Sequence, residues 1–343
     1  MSIKKICVGF NDLKKKNIKK STFNKIVHIC INNNVRTFDL ADNYYNGDLL
    51  KFFGKLVSKS ERDNFYLINK FPLVKTKKDL VKNLDRSLKL LNSDYIDLYM
   101  PHWPSSYYNP SVLANFATEQ IKKGKIKKFG LSNFNLDLIE EFLKYFRYKI
   151  SIQTEININN FSYVKKTIQF CKKKNIDIFA YSINNNFPQN NRYIKNICSK
   201  KKISQYEMSL YWLKNFQKII PIIRSSKELN LKKNFNILRN KTLIKKSKKL
   251  NLKNFQEVKI SDIKKITSEG RNVYNSLYEA LENRFNLFPG PKLIAEEIIQ
   301  LGLVKPFYLK KEKGSFTLLS AQARFWAYQI AFKKKKNYTS NNC

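Results

Sequence analysis

The chain has 343 residues and a formal net charge of +40, and hydrophobic residues make up 43% of it. This apolar content supports a sizeable core and excludes a wholly disordered chain, while no apolar run is long enough to cross a bilayer. The basic residues are mostly lysine and lie along the whole chain. Specific nucleic-acid binding is therefore not expected, because base and bidentate phosphate contacts favour arginine.

The cysteines and the N-terminus indicate a reducing compartment. Five scattered cysteines never form a C-x-x-C pair: Cys7, Cys30, Cys171, Cys198 and Cys343. An odd, scattered set argues against a disulfide framework and against a zinc site, so no metal is expected. The basic start has too short an apolar stretch for a signal peptide. We expect a cytoplasmic protein.

The first two thirds of the chain alternate between short β-rich segments and amphipathic helical stretches such as 80–91 and 136–145. The predicted strands are residues 6–9, 35–40, 65–69, 95–100, 126–131, 150–154, 176–182 and 219–223. Eight such alternations predict a (β/α)8 TIM barrel over residues 1–245. A doubly wound open sheet has the same rhythm, but no G-x-G-x-x-G follows the first strand.

The remaining third has a different composition. Residues 241–255 are lysine-rich and are interpreted as the barrel's last helix running into a linker. A small α+β domain over residues 256–333 is predicted, followed by a disordered basic tail at 334–343. Its predicted elements are a strand at 258–263, helices at 274–285 and 292–301, strands at 306–310 and 316–319, and a helix at 321–332.

Four polar residues follow the ends of predicted barrel strands: Asp39, Tyr44, Lys70 and His102. Strand ends of a parallel barrel gather on one face, so these side chains could share a pocket. Each also has an ordinary explanation, since Asp39 could cap a helix and the other three could simply pack or be solvated. His28, the only other histidine, lies in an amphipathic segment and is interpreted as structural.

The four residues together suit carbonyl reduction. A carbonyl that accepts hydride develops negative charge on oxygen and needs a proton, which a tyrosine donates reluctantly at its ordinary pKa. A neighbouring ammonium favours the phenolate, and a buried carboxylate holds the lysine. A neutral histidine can donate a hydrogen bond to the carbonyl oxygen.

Three segments, FDLADNYYNGD, SLKLLNSDYIDLYMPHWP and GKIKKFGLSNF, resemble in order the signatures of the aldo-keto reductase family. The similarity runs from about residue 6 to residue 235. It implies a TIM barrel and a reductase that uses NADPH, with NAD as the alternative cofactor. In that family's pattern Tyr44 is the proton donor, Lys70 makes it a better acid, Asp39 holds Lys70, and His102 orients the substrate.

The same resemblance implies a set of cofactor-binding residues. Ser132, Asn133 and Gln153 would bind the nicotinamide carboxamide, and Tyr181 would stack on the ring. The adenosine 2′-phosphate would be bound by Ser225, Ser226 and Lys227, and the adenine by Asn234. The two serines could equally cap a helix, and a helix start is also an anion site.

The chain departs from the family pattern at several points. Tyr45 replaces a usual glycine, Lys127 a usual arginine, and Lys233 a usual acid. The loop SINNNFPQNN replaces the common S-P-L-x-G, so pyrophosphate contacts do not carry over.

Residues 256–332 resemble the fold shared by ParB partition proteins and sulfiredoxin, in which a helix N-terminus and an arginine bind a nucleotide phosphate. Only Arg324 is kept in type, and Gln322 replaces that family's acid. The resemblance implies a site for a nucleotide or sugar phosphate. The other interpretation is an accessory lobe with an amphipathic last helix.

The sequence leads to two hypotheses. The first is an NADP-dependent oxidoreductase that reduces an aldehyde or ketone, including sugar-like carbonyls. The alternative is a non-catalytic binding or regulatory protein that keeps the barrel and senses a nucleotide or phosphate with its C-terminal domain. Membrane association is not expected, and polyanions should be attracted only weakly and non-specifically at low salt.

Overall fold

The structure is a computed structural model. It describes residues 6–10, 19–158, 160–184, 192–216, 218–225, 227–240, 258, 260–267, 274–285, 290–301, 307–320 and 322–340. The chain divides into two compact units, one comprising Met1–Trp103 and Tyr108–Lys253, the other Pro104–Tyr107 and Asn254–Cys343.

Eight parallel strands close into a barrel in the first unit, each paired with the next and β8 paired with β1. They are β1 (Cys7–Gly9), β2 (Thr37–Asp39), β3 (Tyr66–Phe71), β4 (Ile96–Pro101), β5 (Ile126–Ser132), β6 (Ser151–Glu155), β7 (Asp177–Tyr181) and β8 (Ile219–Ile223). All eight predicted strands and the (β/α)8 barrel are therefore confirmed, and closure rules out the open sheet.

Nine helices accompany these strands in the described part of the first unit. They are α1 (Lys20–Asn32), α2 (Asp48–Leu56), α3 (Lys77–Leu91), α4 (Pro110–Lys122), α5 (Leu136–Tyr145), α6 (Phe161–Lys173), α7 (Arg192–Lys201), α8 (Gln205–Leu213) and α9 (Glu228–Arg239). α3 shows why they form here. The Thr76 side chain caps its first turn, and Leu80, Leu84, Leu88 and Leu91 are buried at helical spacing.

Side chains fill the barrel interior, so the barrel is a packed core with its site at one end. One buried cluster consists of Cys7, Tyr66, Ile68, Leu98, Met100, Phe179 and Ile220. Burial raises the pKa of the Cys7 thiol well above its ordinary value, with the nearby Asp39 adding to the effect. Cys7 is therefore a packing residue rather than a reactive thiol.

The second unit contains three strands and three helices among its described residues. They are β9 (Ile263–Ile266), α10 (Leu277–Leu281), α11 (Pro291–Leu301), β10 (Tyr308–Glu312), β11 (Ser315–Ser320) and α12 (Gln322–Ser340). β11 lies in the middle, antiparallel to β10 and parallel to β9. Tyr274, Leu318, Phe325 and Trp326 lie in its buried core.

Two predictions for this unit need correction. The first strand was predicted at 258–263, but Ile260–Asp262 form a 3₁₀ turn and β9 begins at Ile263. The tail was expected to be disordered from 334, yet α12 continues to Ser340. Lysine is a good helix former, so a lysine run can extend a helix that packing has started. Residues 241–255, which include the predicted linker, lie outside the described part.

Among the described residues, no helix is both long enough and apolar enough to span a membrane.

Candidate active site

A buried ion pair lies at the carboxyl ends of β2 and β3. Lys70 Nζ donates to Asp39 Oδ1 at 2.5 Å, and the two side chains are 1% and 8% exposed. Each charge is compensated by the other, which is what allows both to remain buried. The structure thus places Asp39 and Lys70 together, as the sequence predicted for a lysine held by a carboxylate.

Tyr44 and His102 lie beside this pair. The Tyr44 ring centroid is 5.5 Å from that of His102 in an edge-to-face arrangement, and Lys70 Nζ is 5.1 Å from the Tyr44 centroid. Tyr44 begins a short 3₁₀ segment in the loop after β2, and His102 directly follows β4. All four predicted catalytic side chains therefore meet at one end of the barrel.

Four of the predicted cofactor residues form a hydrogen-bonded chain next to the ion pair. Tyr181 donates to Asn133 Oδ1, and Asn133 Nδ2 donates to Ser132 Oγ at 3.1 Å. Ser132 Oγ donates to Gln153 Oε1 at 3.3 Å, and Gln153 Nε2 donates to Asp39 Oδ1 at 2.9 Å. The series of hydrogen bonds is continuous from Tyr181 to the Asp39 carboxylate, which also accepts from Lys70.

This donor set fits a nicotinamide. A carboxamide needs both donors and acceptors, and Ser132, Asn133 and Gln153 each supply both kinds. Asn133 adopts a left-handed conformation at φ 66° and also donates to the His102 carbonyl oxygen at 3.0 Å, which fixes its amide at the end of β5. Tyr181, half-buried at the end of β7, supplies an aromatic ring.

The residues predicted to bind the adenosine end belong to the junction of β8 and α9. Ser225 Oγ accepts from Lys227 N at 3.0 Å, closing a turn before the helix, and the Lys227 side chain is exposed. Ser226 lies outside the described residues. Asn234 is buried, and its Nδ2 donates to the Tyr206 hydroxyl at 2.9 Å. The Asn234 amide therefore already donates to a protein hydroxyl without an adenine.

The sequence did not reveal the neighbours of His102. Trp103 stacks on the imidazole with centroids 3.6 Å apart, and Asn43 Oδ1 lies 3.2 Å from His102 Nδ1. An amide oxygen only accepts, so Nδ1 carries the proton in this arrangement. The predicted role is that a neutral ring donates to the substrate carbonyl; donation from Nε2 would require the Asn43 amide to turn its NH₂ towards Nδ1. The one available signal was that Asn43 precedes Tyr44.

Two further positions named in the sequence analysis are Tyr45, a departure from the family pattern, and Arg324, the predicted phosphate ligand. Tyr45 has φ 50°, the left-handed region in which glycine is favoured, and glycine is the residue it replaces in the family pattern. Arg324 is half-buried in the first turn of α12, where Gln322 Oε1 accepts from Tyr274 N at 3.2 Å. Gln322 is thus engaged in a structural hydrogen bond.

Known proteins are similar to this chain in sequence and fold. The profile of the Aldo/keto reductase family matches residues 5–251. Methylglyoxal reductase DkgB of Yersinia pestis is 28% identical over 152 residues, which is 43% of this chain and 55% of that protein. Aldose reductase C of Dictyostelium discoideum is 24% identical over 242 residues, 62% of this chain and 75% of that one. The chain thus spans only about half to three quarters of these curated relatives.

Solved structures share the fold at lower identity. A thermostable aldo-keto reductase, Tm1743, in complex with the inhibitor epalrestat has a TM-score of 0.66 at 23% identity, over 73% of this chain and 94% of that one. An aldo-keto reductase from Klebsiella pneumoniae in complex with NADPH has a TM-score of 0.63 at 17% identity, over 71% and 89%. Because the family profile covers well over half of its residues, the chain belongs to the aldo/keto reductase family.

Proposed function

We propose that this protein is an NADP-dependent oxidoreductase that reduces an aldehyde or ketone. The observation that carries the proposal is the buried Lys70–Asp39 pair beside Tyr44 and His102. A purely binding or regulatory barrel, the alternative hypothesis, would gain nothing from a buried ammonium held next to a tyrosine and a histidine. Burying such a pair has a desolvation cost and adds little net stability, so its presence beside two further polar side chains favours a functional role.

Each side chain has a distinct role in this proposal. The reduced nicotinamide supplies the hydride when bound. Tyr44 donates its hydroxyl proton to the substrate oxygen, and the Lys70 ammonium stabilises the phenolate that remains. Asp39 keeps Lys70 in place, while His102 orients the carbonyl.

The test replaces Tyr44 and, as a matched control, its neighbour. Tyr44→Phe should lower turnover of a reactive aldehyde by about a hundredfold or more, because a positioned acid is lost. NADPH binding, followed by protein fluorescence, should stay near that of the wild type. Tyr45→Phe should keep most of its activity. A Tyr44→Phe enzyme that reduces the aldehyde at the wild-type rate would remove Tyr44 from this role.

We assign the cofactor site to Ser132, Asn133, Gln153 and Tyr181 for the nicotinamide, and to Ser225, Ser226, Lys227 and Asn234 for the adenosine end. The hydrogen-bonded chain supports the first group. The exposed Lys227 ammonium at the start of α9 supports a preference for NADP over NAD, because it can pair with a 2′-phosphate. To contact the adenine, Asn234 would have to share an amide that already donates to Tyr206.

The substrate class is inferred from the names of similar proteins. Proteins similar to this chain bear the names methylglyoxal reductase and aldose reductase. We propose a small or sugar-like carbonyl compound, reduced in the cytoplasm, where NADPH and free thiols are maintained. The described cysteines Cys7, Cys30, Cys171 and Cys198 are all free.

For the second unit we propose a ParB/sulfiredoxin-like domain over residues 256–333 that binds a nucleotide or sugar phosphate. Arg324 supports this, because its guanidinium lies in the first turn of α12, where the helix dipole favours anions. Calorimetry of the full chain with nucleotides and sugar phosphates tests it: binding should occur and Arg324→Ala should abolish it. The reductase residues all lie in the first unit, so the same variant should still reduce an aldehyde.

A further inference from the structure

Asp42 lies in the chain between Asp39, which pairs with Lys70, and Tyr44, the proposed proton donor. It follows Asp39 by three residues and precedes Tyr44 by two, and its backbone N–H donates to the Lys70 carbonyl oxygen at 2.9 Å. Its carboxyl is turned away from solvent, at 8% exposure. The loop that carries Tyr44 is therefore attached at Asp42 to the strand that carries Lys70.

The Asp42 side chain adds two further attachments. Its Oδ1 accepts from Asn69 Nδ2 at 2.6 Å and from Ser87 Oγ at 2.8 Å. Asn69 is the residue before Lys70 in β3, and Ser87 lies in α3; both are buried. One carboxyl thus connects the Tyr44 loop to a strand and to a helix, with no contribution from solvent-exposed groups.

We propose that Asp42 is a positioning residue for carbonyl reduction, whose carboxyl fixes the Tyr44 loop relative to Lys70 through Asn69 and Ser87. The inference rests on Tyr44 being the proton donor. The distance from Lys70 to the Tyr44 ring, 5.1 Å, depends on how this loop lies on β3. Small misplacements of a catalytic group have large effects on rate.

Hydrogen-bond donors are scarce around Asp42 among the described residues. Ser87 has a single hydroxyl hydrogen but lies 2.8 Å from both Asp42 Oδ1 and the Asn83 carbonyl oxygen. Asn69 Oδ1 is buried without a hydrogen-bond partner among the described residues. A carboxylate at Asp42 only adds acceptors to this group, so the scarcity of donors disfavours its charged form.

Burial acts in the same direction and raises the pKa of Asp42 to about 6, although the Asn69 and Ser87 hydrogen bonds oppose it. The other titratable groups around it are few. Arg86 on α3 favours the carboxylate but is exposed, and Tyr99 of β4 is a buried phenol whose own pKa is raised by burial and then by Asp42. Asp39 and Lys70 neutralise each other as an ion pair.

The experiment compares Asp42→Ala with the isosteric Asp42→Asn. Alanine removes both side-chain attachments and should lower kcat for an aldehyde about tenfold or more, with NADPH affinity changed less than about threefold. Asparagine keeps an oxygen for Asn69 and Ser87 and should restore kcat to within about threefold of the wild type. Asp94→Ala, at an 88% exposed side chain, is the control and should behave as the wild type.

The pH profile provides a readout that general loss of packing would not move. The wild-type kcat should show an ionisation near pH 6 that is absent from Asp42→Asn. If Asp42→Ala does not fold, Ser87→Ala, which removes one attachment, should still lower kcat about two- to fivefold.

Two results would overturn the inference: a folded Asp42→Ala or Ser87→Ala enzyme with wild-type kcat, or an Asp42→Asn enzyme as slow as Asp42→Ala. Either leaves the proposed function standing if Tyr44→Phe is inactive. A fully active Tyr44→Phe enzyme would instead remove the proposed proton donor itself.

Discussion

Buried charge at the candidate active site is compensated side chain by side chain. The Asp39 carboxylate accepts from Lys70 and from Gln153, and both partners are almost completely buried. Leaving either charge of such a pair alone typically costs about 3–5 kcal/mol. Asp39 and Lys70 therefore act as one unit. A variant that replaces either residue should lose stability as well as activity.

Asp42 is a buried acid that forms no ion pair among the described residues, so its ionisation should appear in stability. Its folded-state pKa of about 6 is raised from 3.8, so the folded protein holds its proton more tightly than the unfolded chain. The stabilisation is present in full below the unfolded pKa and is lost as pH rises through about 6, by roughly 2–3 kcal/mol.

Urea unfolding of the wild type and Asp42→Asn at about pH 4.5 and about pH 7.5 measures this. Asparagine cannot ionise, so the stability of the variant relative to the wild type should increase with pH. Taking the difference cancels the other titrating groups. Asp94→Asn, at an exposed side chain, is the control. A difference that does not change between the two pH values would contradict a raised pKa at Asp42.

Strand-end positions made part of the site predictable from sequence. Asp39, Lys70 and His102 each lie at or next to the carboxyl end of a barrel strand, and such positions meet on one face of the barrel. The partners of Asp42 could not be predicted this way. Ser87 lies 45 residues further along the chain, on the inner side of a helix where an isolated serine has no distinctive pattern.

Among the secondary-structure elements, α2 and α3 approach each other unusually closely at Gly54. A Cβ added there would lie 2.5 Å from the Leu90 carbonyl oxygen and 2.6 Å from the Leu91 carbonyl carbon, both backbone atoms that cannot rotate away. Glycine weakens a helix interior by about 1 kcal/mol relative to alanine, so its presence here needs a reason. The reason is that only glycine lets the two helices pack at this distance.

Gly54→Ala should therefore destabilise the protein, although alanine is the better helix former. Overpacking costs about 1–3 kcal/mol, which exceeds the gain in helix propensity. Chemical denaturation measures the change. Gly124→Ala is the matched control, because a Cβ there meets nothing within 4 Å and the cost comes from its φ of 73°. Equal or higher stability of Gly54→Ala would show that the helices can move apart.

The elements themselves differ in how well sequence predicted them. The barrel strands are short, buried on both sides and rich in β-branched residues, so their positions were found despite shifts of one or two residues at their ends. β9 was misplaced because Val258 and Ile260 alternate with polar residues, as in a half-buried strand, although Ile260 belongs to the 3₁₀ turn. Only the pairing with β11 determines where that strand begins.

At the scale of the whole molecule, the dominant feature is charge. Lysine and arginine number 66 against 26 acidic residues. Most of the ion pairs among the described residues lie at the surface, where solvent screens them and each contributes little. The excess positive charge also sets up a field that acts on whatever approaches the protein.

The field of this net charge should attract NADPH, which carries a pyrophosphate and a 2′-phosphate. The Debye length falls from about 30 Å at 0.01 M salt to about 8 Å at 0.15 M, so the long-range attraction should be largely screened over this range. We expect the Kd for NADPH to rise about tenfold, mainly through slower association, since steering changes on-rates by about 10- to 1,000-fold. Stopped-flow fluorescence at both salt concentrations measures it, with the KM for an uncharged aldehyde as the control. An NADPH association rate that is the same at both salt concentrations would mean that the basic residues do not steer the cofactor towards the barrel.

The Lys227→Ala variant separates the local contact from the long-range field. It should reduce the preference for NADPH over NADH by about tenfold or more at either salt concentration. The reason is that a charge-assisted hydrogen bond contributes about 1.5–3 kcal/mol, and this contact does not depend on long-range attraction.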